Sequence, residues 1–239
     1  MPDLSSPCFP RPHISIHADT ALMVYLAAEP SAQVLAVQQL MIATLRQIFG
    51  AALRELVPSY NSLLLVFDLQ QLDHQQLAVC VEQHWTNWCQ QAQASTGRQP
   101  LVQLPCYYSA ESGADLPALA SAKGLSVAEV ITLHSQQDYL VYAIGFAPGF
   151  AYLGFVDPLL QSPRHSAPRL QVPAGSVALA DRQTAVYPAP SPGGWQLLGR
   201  CPLRLFALEQ QPVMPFAVGD RVRFEPVDRA EYLRLGGEL

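Results

Sequence analysis

Apolar and polar residues alternate with two different periods over residues 13–94, and the two periods predict different elements. Alternating apolar residues at positions 14 and 16, followed by an apolar run at 21–26, predict two short strands around a turn at Asp19. Apolar residues spaced three or four apart from Val34 to Ile48 predict a helix. That helix is expected to begin after Ser31, a good capping residue, and to end at Gly50.

The same two periods repeat further along this half of the chain. Residues 53–57 and 62–67 predict two more strands, and Asp73 with Gln76 forms a capping-box pattern in front of a second helix. Each amphipathic helix needs an apolar sheet face to cover. The order strand, strand, helix, strand, strand, helix therefore favours a small antiparallel sheet with both helices on one face.

Proline and glycine interrupt the second half of the chain, after a polar linker at residues 90–100. Asp115 and the pair Ser126 and Glu129 predict the starts of two short helices. Nine of the 21 prolines then fall between residues 146 and 202, which excludes long helices because proline removes a backbone donor. Short strands with frequent turns favour a barrel or a sandwich. We therefore predict an α+β chain with a disordered tail at 1–12, an α/β domain at 13–94 and a β domain at 95–239.

Composition and charge exclude several classes of protein. Half of the 239 residues are hydrophobic and 14% are charged, against about 25% charged in an average soluble protein, so a disordered chain and a solvated coiled coil are excluded. A net charge of −5 argues against nucleic acid as a partner. The longest unbroken aliphatic and aromatic run, residues 63–67, is far too short to span a membrane. Free thiols in a cytoplasmic protein are the simplest expectation for the five cysteines, Cys8, Cys80, Cys89, Cys106 and Cys201.

Several common functional motifs are missing from the sequence. There is no phosphate-binding loop, no dinucleotide fingerprint and no G-x-S-x-G nucleophile motif. His13 and His17 lie on a predicted strand near the amino terminus, and we expect no metal site there.

Arginine, glycine and aromatic residues concentrate in the β domain. Residues 139–208 hold five arginines and two acidic residues, a local charge of +3 in a chain whose total is −5. Arginine binds a carboxylate or a phosphate through two parallel hydrogen bonds. Glycine has no side chain, so the backbone N–H groups around it can approach an anion closely. Each motif alone could be a barrel turn, and each arginine alone a surface ion pair. Their clustering within rigid turns favours a concave site for a small anion.

Five stretches of the sequence stand out: GFAPGFAYLG (145–154), two Pro-Arg pairs followed by VPAGSVA (163–178), QTAVYP (183–188), SPGGWQLLGR (191–200) and VGDRVRFEPV (218–227). Together with VPSYNSLLLVFD (57–68) and His134, they resemble the family of 5-oxoprolinase B subunits, also called the KipI or allophanate-hydrolase-subunit-1 family. The resemblance runs from about residue 13 to about residue 228. At two positions, Ala151 and Cys201, the chain differs from the residues that are usual in the family, and neither difference removes a charged group.

The resemblance implies a small α/β domain followed by a cyclophilin-like β-barrel. It also implies a role as the B subunit of a multi-subunit 5-oxoprolinase, with a homologous C subunit and an A subunit as partners. That enzyme opens 5-oxo-L-proline to L-glutamate and hydrolyses ATP to ADP and phosphate. ATP, which Mg²⁺ can accompany, is then a co-substrate, and no tightly bound cofactor is expected. Two alternatives stay open: a KipI-type inhibitor that binds a sensor histidine kinase, and a carboxyltransferase-type component of urea or allophanate metabolism.

The resemblance also gives the candidate site residues their roles. Arg164, Arg169 and Arg200 are candidates for anion contacts. Gln183, Tyr187 and His134 are candidates for orienting substrate or moving protons. Phe150 and Trp195 would form an apolar wall, and backbone N–H groups would come from Gly149, Gly175, Gly193 and Gly194.

Overall fold

A four-stranded antiparallel sheet organises the first part of the molecule. The structure is a computed structural model that describes residues 9–94 and 100–239, and it divides into two units at Arg98 and Gln99. Cys8, most of the predicted tail and the centre of the predicted linker lie outside the described residues. The elements of the first unit are β1 (His13–Ala18), β2 (Ala21–Tyr25), α1 (Ala32–Phe49), β3 (Leu53–Pro58), β4 (Ser62–Phe67) and α2 (His74–Ala94).

Strand order in this sheet is β1-β2-β4-β3. Buried Leu63, Leu65 and Phe67 alternate along β4 with partly exposed residues, so one sheet face is apolar. Both helices contribute to the same core, with Met41 from α1 and Trp88 from α2 fully buried. This architecture confirms the predicted antiparallel sheet with two helices.

The helix ends follow the signals read from the sequence. The hydroxyl of Ser31 accepts a hydrogen bond from the Val34 amide at 3.1 Å, and α1 ends at Gly50 with φ +50°. Asp73 and Gln76 form the predicted reciprocal bonds, at 2.8 and 3.0 Å, ahead of α2. Local capping chemistry therefore sets where these helices begin and end.

Helix α1 with the turn after it, Ala32–Ala52, is long and apolar enough to cross a membrane by length and composition alone. A core helix of a soluble protein meets the same test. Val34, Val37, Met41 and Leu45 of α1 are buried in the core of the first unit, which accounts for the apolar composition of this helix.

The second unit is built on a seven-stranded sheet with the order β12-β9-β10-β7-β6-β13-β5. The β5–β13 pair is parallel and the other pairs are antiparallel. The elements are β5 (Leu101–Cys106), α3 (Leu116–Lys123), α4 (Val127–Ser135), β6 (Tyr139–Ile144), β7 (Ala151–Gly154), β8 (Arg169–Val172), β9 (Ser176–Ala180), β10 (Gln183–Val186), β11 (Ser191–Gly193), β12 (Gln196–Arg200), β13 (Arg221–Pro226) and α5 (Arg229–Arg234).

Within residues 9–94 and 100–239, one pair of residues joins the two edges of this sheet. Tyr107, just after β5, and Arg200, at the end of β12, exchange backbone hydrogen bonds of 2.9 and 3.0 Å. A Cβ at Gly199 would lie 2.6 Å from the Tyr107 carbonyl oxygen, so the close approach of the two strands requires a glycine there. The sheet is thus a nearly closed barrel, which confirms the predicted β domain.

Outside the barrel sheet, β8 and β11 pair with each other as a separate two-stranded ribbon. Ser191 pairs with Val172, and Gly193 pairs with Arg169. Leu170 on this ribbon is 93% exposed. The ribbon holds the Pro-Gly-Gly-Trp segment against the barrel, and the candidate site is built at that place.

Candidate functional site

Six of the predicted site residues line one small cavity, here called the Trp195 pocket, of about 110 Å³. They are Phe150, Arg164, Tyr187, Gly193, Gly194 and Trp195. Phe146, Tyr152 and Pro192 complete the lining. The glycine, proline and aromatic segments that stood out in the sequence therefore do meet in space.

Three buried aromatic rings form the wall of the Trp195 pocket. Phe150 and Tyr187 are 2% exposed and Trp195 is 4% exposed. The ring centroid of Phe150 lies 5.5 Å from that of Tyr187 and 5.8 Å from that of Trp195, with interplanar angles of 81° and 86°. Edge-to-face packing of this kind is favourable because the positive ring edge meets the negative ring face. The wall is therefore apolar and held in place by its own packing.

Arg164 supplies the positive charge of the pocket. Its guanidinium carbon lies 5.7 Å from the centroid of the Trp195 ring, within cation–π range. Among residues 9–94 and 100–239, no carboxylate forms an ion pair with Arg164. An aromatic face attracts the cation but does not neutralise it, so the charge stays available to an anion.

Tyr187 places a hydroxyl beside this charge. Burial raises the pKa of Tyr187, while the nearby Arg164 charge acts in the opposite direction without cancelling the rise. The phenol is therefore protonated at neutral pH and can donate a hydrogen bond. A Cβ on Gly193 would lie 2.3 Å from the Tyr187 hydroxyl oxygen, so the tyrosine reaches its position because residue 193 has no side chain.

The buried carboxylate of Asp115 supports the Trp195 pocket without lining it. Asp115 occupies the capping position of α3, as predicted, but its side chain makes no capping bond. Its carboxylate instead accepts from the Leu197 amide at 2.7 Å and from Arg169 Nη2 at 2.6 Å. It also lies 3.3 Å from His165 Nε2. Burial raises the pKa of Asp115, but these hydrogen bonds outweigh burial, and the pKa is lowered overall.

This network corrects one expectation about the arginines. The sequence suggested that few acids were available to pair with them, yet Arg169 is paired with Asp115. The hydrogen bonds around Asp115 also connect to the lining of the Trp195 pocket, because the His165 amide donates to the Gly194 carbonyl at 2.7 Å. Arg169 therefore holds the segment around Trp195 in place and does not line the pocket. Sequence reasoning missed Asp115 in this role, since its partners are distant along the chain.

Arg200 and Gly175 lie in a second cavity of about 380 Å³, here called the Arg200 pocket. Arg200 Nη1 donates to the Glu238 carbonyl at 2.6 Å. Gly175 adopts φ +76°, and a Cβ there would lie 2.3 Å from the Cys201 carbonyl oxygen. The residues expected to form a single anion site are therefore divided between two cavities.

The remaining predicted residues line neither cavity. His134 is fully buried, with Nδ1 2.7 Å from the Tyr108 hydroxyl and Nε2 2.8 Å from Thr184 Oγ1. Burial lowers its pKa to about 3, so the ring is neutral. Gln183 pairs with Gly154 and Ala180 within the barrel sheet.

Gly149 shapes the turn just before Phe150. It adopts φ +89°, and a Cβ there would lie 2.8 Å from the Phe206 Cβ. Gly149 therefore sets the direction in which the chain enters β7. It lies next to Phe150 of the pocket wall but does not line the pocket.

No group of three or more His, Cys, Asp or Glu side chains within the described ranges is arranged to hold a metal ion. Cys80, Cys106 and Cys201 are buried free thiols, and Cys89 is also buried. Burial raises the pKa of Cys201 to about 12, which makes this thiol a poor nucleophile at neutral pH.

Comparisons with known proteins agree with the resemblance seen in the sequence. Residues 12–216 match the family model for the carboxyltransferase domain, subdomain C and D. The chain is 32% identical to the 5-oxoprolinase B subunit of Bacillus subtilis over 224 residues, which cover 90% of this chain and 92% of that protein. It is 37% identical to the 5-oxoprolinase B subunit of Escherichia coli O157:H7 over 172 residues, covering 72% and 77%.

The solved structures include TTHA0988, which matches with a TM-score of 0.75 and 32% identity over 87% of this chain. This chain spans only 40% of the length of TTHA0988. The curated relatives are named as subunits, so they are parts of multi-subunit enzymes. On these matches, the chain belongs to the carboxyltransferase domain family, subdomain C and D, together with the B subunits of 5-oxoprolinase.

Proposed function

We propose that this chain is the B subunit of an ATP-dependent 5-oxoprolinase and that the Trp195 pocket binds 5-oxo-L-proline. The names of its curated relatives and the shape of the pocket support this proposal. In it, a homologous C subunit and an A subunit are the partners, ATP with Mg²⁺ is the co-substrate, and the complex is cytoplasmic.

The position of Arg164 over Trp195 is the observation that carries the proposal. A small acid with a flat apolar ring needs one cation and an aromatic wall, and the pocket offers both. The guanidinium of Arg164 would bind the substrate carboxylate. The Tyr187 hydroxyl, which burial keeps protonated, would donate to the lactam carbonyl.

The chemistry explains why ATP is needed. A lactam carbonyl is a poor electrophile, and transfer of the γ-phosphoryl group to its oxygen, with loss of the N–H proton and release of ADP, activates the ring carbon. Water then adds to that carbon and the C–N bond opens, which gives an acyl phosphate. A second water releases phosphate and the side-chain carboxylate of glutamate. Developing negative charge in these steps is stabilised by fixed cations in a site that excludes bulk water.

The test is ATP-dependent release of glutamate from 5-oxoproline, measured with this chain alone and then with its partner subunits. In the assembled complex we expect Arg164→Gln to lower kcat/KM by about tenfold to a hundredfold, the usual effect of losing a hydrogen bond between charged groups. Arg182→Gln is the matched control, because Arg182 also lies over an aromatic ring, Phe155 at 4.4 Å, but does not line the pocket.

Unchanged kinetics in Arg164→Gln would refute the assignment of the pocket. Co-purification tests the wider proposal. Recovery of a homologous barrel protein supports it, whereas recovery of a histidine kinase, or turnover of a urea derivative by the complex, would contradict it.

A further inference from the structure

The Arg200 pocket differs from the Trp195 pocket in size and in charge. At about 380 Å³ it falls within the range of roughly 300–1,000 Å³ that is usual for small-molecule sites. Its lining includes two arginines, Arg200 and Arg204, and one acidic residue, Glu238. Arg204 forms an ion pair with Glu209, so Arg200 is the cation of this lining that the argument uses. Pro173, Pro188, Pro190 and Pro202 form much of the rest of its wall.

Arg200 keeps its positive charge without a counter-ion in the part of the chain that the structure describes. Its Nη1 donates to a neutral acceptor, the Glu238 carbonyl, which also accepts from the Tyr232 hydroxyl at 2.7 Å. Its Nε is buried and has no hydrogen-bond partner among the described residues. A buried donor without a partner is unfavourable, so the protein contacts of this guanidinium leave part of its hydrogen-bonding capacity unused.

The segment after α5 fixes the position of this guanidinium. Tyr232 is 1% exposed, and a Cβ on Gly237 would lie 2.3 Å from its ring, so the segment packs closely on the tyrosine. This packing brings the Glu238 carbonyl onto Arg200. The guanidinium is thus oriented before any ligand arrives, which reduces the entropy lost on binding.

We propose that the Arg200 pocket is a second anion site, in which Arg200 binds the phosphate group of a small molecule. A guanidinium binds an oxyanion by two parallel hydrogen bonds, and the proline-lined wall provides apolar contact for the rest of the ligand. The geometry of Arg200 supports an oxyanion site of any kind. The choice of a phosphate group rests on the proposed function, because that reaction needs a phosphoryl donor.

Direct binding to the full chain tests the site without any turnover. Isothermal titration calorimetry with ATP and, separately, with inorganic phosphate should show saturable binding of at least one of them. We expect Arg200→Gln to weaken that binding by about tenfold to a hundredfold and Arg200→Lys to weaken it less. Arg182→Gln is the control and should leave it unchanged, because Arg182 lines neither pocket.

A second variant keeps the test valid if Arg200→Gln loosens the segment after α5. Ala174 lines the cavity and is exposed, so Ala174→Leu reduces the cavity without touching a charge, and its fold can be checked by circular dichroism. We expect it to block binding. The proposal is overturned if wild type binds neither probe, if Arg200→Gln or Ala174→Leu binds as wild type does, or if Arg182→Gln abolishes binding. Failure of glutamate release with intact ATP or phosphate binding would instead count against the proposed function alone.

Discussion

Acidification should destabilise the barrel through His134 well before its carboxylates are protonated. The Thr184 hydroxyl donates to the Ala178 carbonyl at 3.0 Å, so toward His134 it acts as an acceptor. His134 Nε2 therefore carries the proton, and Nδ1 accepts from the Tyr108 hydroxyl. This neutral, fully buried ring has a defined tautomer, and a second proton on Nδ1 would break the bond from Tyr108.

The size of the effect follows from proton linkage. Burial lowers the pKa of His134 from 6.5 to about 3, so between these values the unfolded chain binds more protons than the folded chain. The stability that neutral His134 provides is complete above pH 6.5 and is lost as the pH falls toward 3. Between pH 7 and pH 5 the free energy of unfolding should fall by about 2 kcal/mol, since each pH unit contributes up to about 1.4 kcal/mol.

Urea unfolding of wild type and His134→Gln at pH 7, 6 and 5, followed by circular dichroism, measures this loss. The glutamine variant should be less stable at pH 7 but should lose about 2 kcal/mol less on acidification. The difference in pH dependence between wild type and His134→Gln reports on His134, because the first unit contributes equally to both proteins. Equal pH dependence in wild type and His134→Gln would refute the reasoning.

Three further substitutions test the support of the site and the closure of the barrel. Asp115→Asn should lower the free energy of unfolding by about 1.5–3 kcal/mol by weakening charged hydrogen bonds, while Asp68→Asn, whose partner Arg54 is exposed, should lower it less in the same urea titration. Gly193→Ala should raise the KM for 5-oxoproline in the assembled complex, because its Cβ would lie 2.3 Å from the Tyr187 hydroxyl; Gly194→Ala, whose nearest contact is 3.3 Å, should raise it less. Gly199→Ala should force β12 away from the Tyr107 carbonyl and lower the free energy of unfolding by about 1–3 kcal/mol. The thermal unfolding midpoint should therefore fall, and an unchanged midpoint in calorimetry would contradict the role given to this glycine.

The parts of the fold that were predictable depend on local chemistry. Ser31 and the Asp73–Gln76 pair cap their helices through bonds within three residues, so their signals are complete in short stretches of sequence. The Trp195 pocket was partly predictable for the same reason, because Gly193, Gly194 and Trp195 are consecutive. The sequence could not show that Asp115 serves this pocket, since its bonded partners lie 54 and 82 residues away.

The separation of Arg200 from Trp195 has a geometric cause. Trp195 lies just before β12 and Arg200 is the last residue of this strand. Because a strand rises about 3.3 Å per residue, the two residues are separated by roughly 16 Å along the chain. The register shift between Leu197 and Gly199 pairs Leu197 with Ala178 and Arg200 with Ser176, which lie on one face of β9, so distance along the strand and not the choice of face separates the two side chains. Closeness in sequence suggested one site, whereas this distance places the two side chains in two cavities.

The size of the Trp195 pocket bears on why this chain would need partners. A volume of about 110 Å³ equals that of about three or four water molecules in the liquid, so the pocket cannot enclose a nucleotide together with a lactam. Under the proposed function, the phosphoryl donor must approach a bound lactam from the mouth of the pocket. Phe146 lines that pocket at φ +72° and is 63% exposed, an unfavourable backbone conformation that holds an aromatic ring in solvent. A partner protein that covers Phe146 would both bury this ring and exclude water from the phosphorylated intermediate. Phe146→Ser should therefore lower glutamate release by the complex more than it lowers 5-oxoproline binding by the isolated chain, and equal losses in the two measurements would refute this argument.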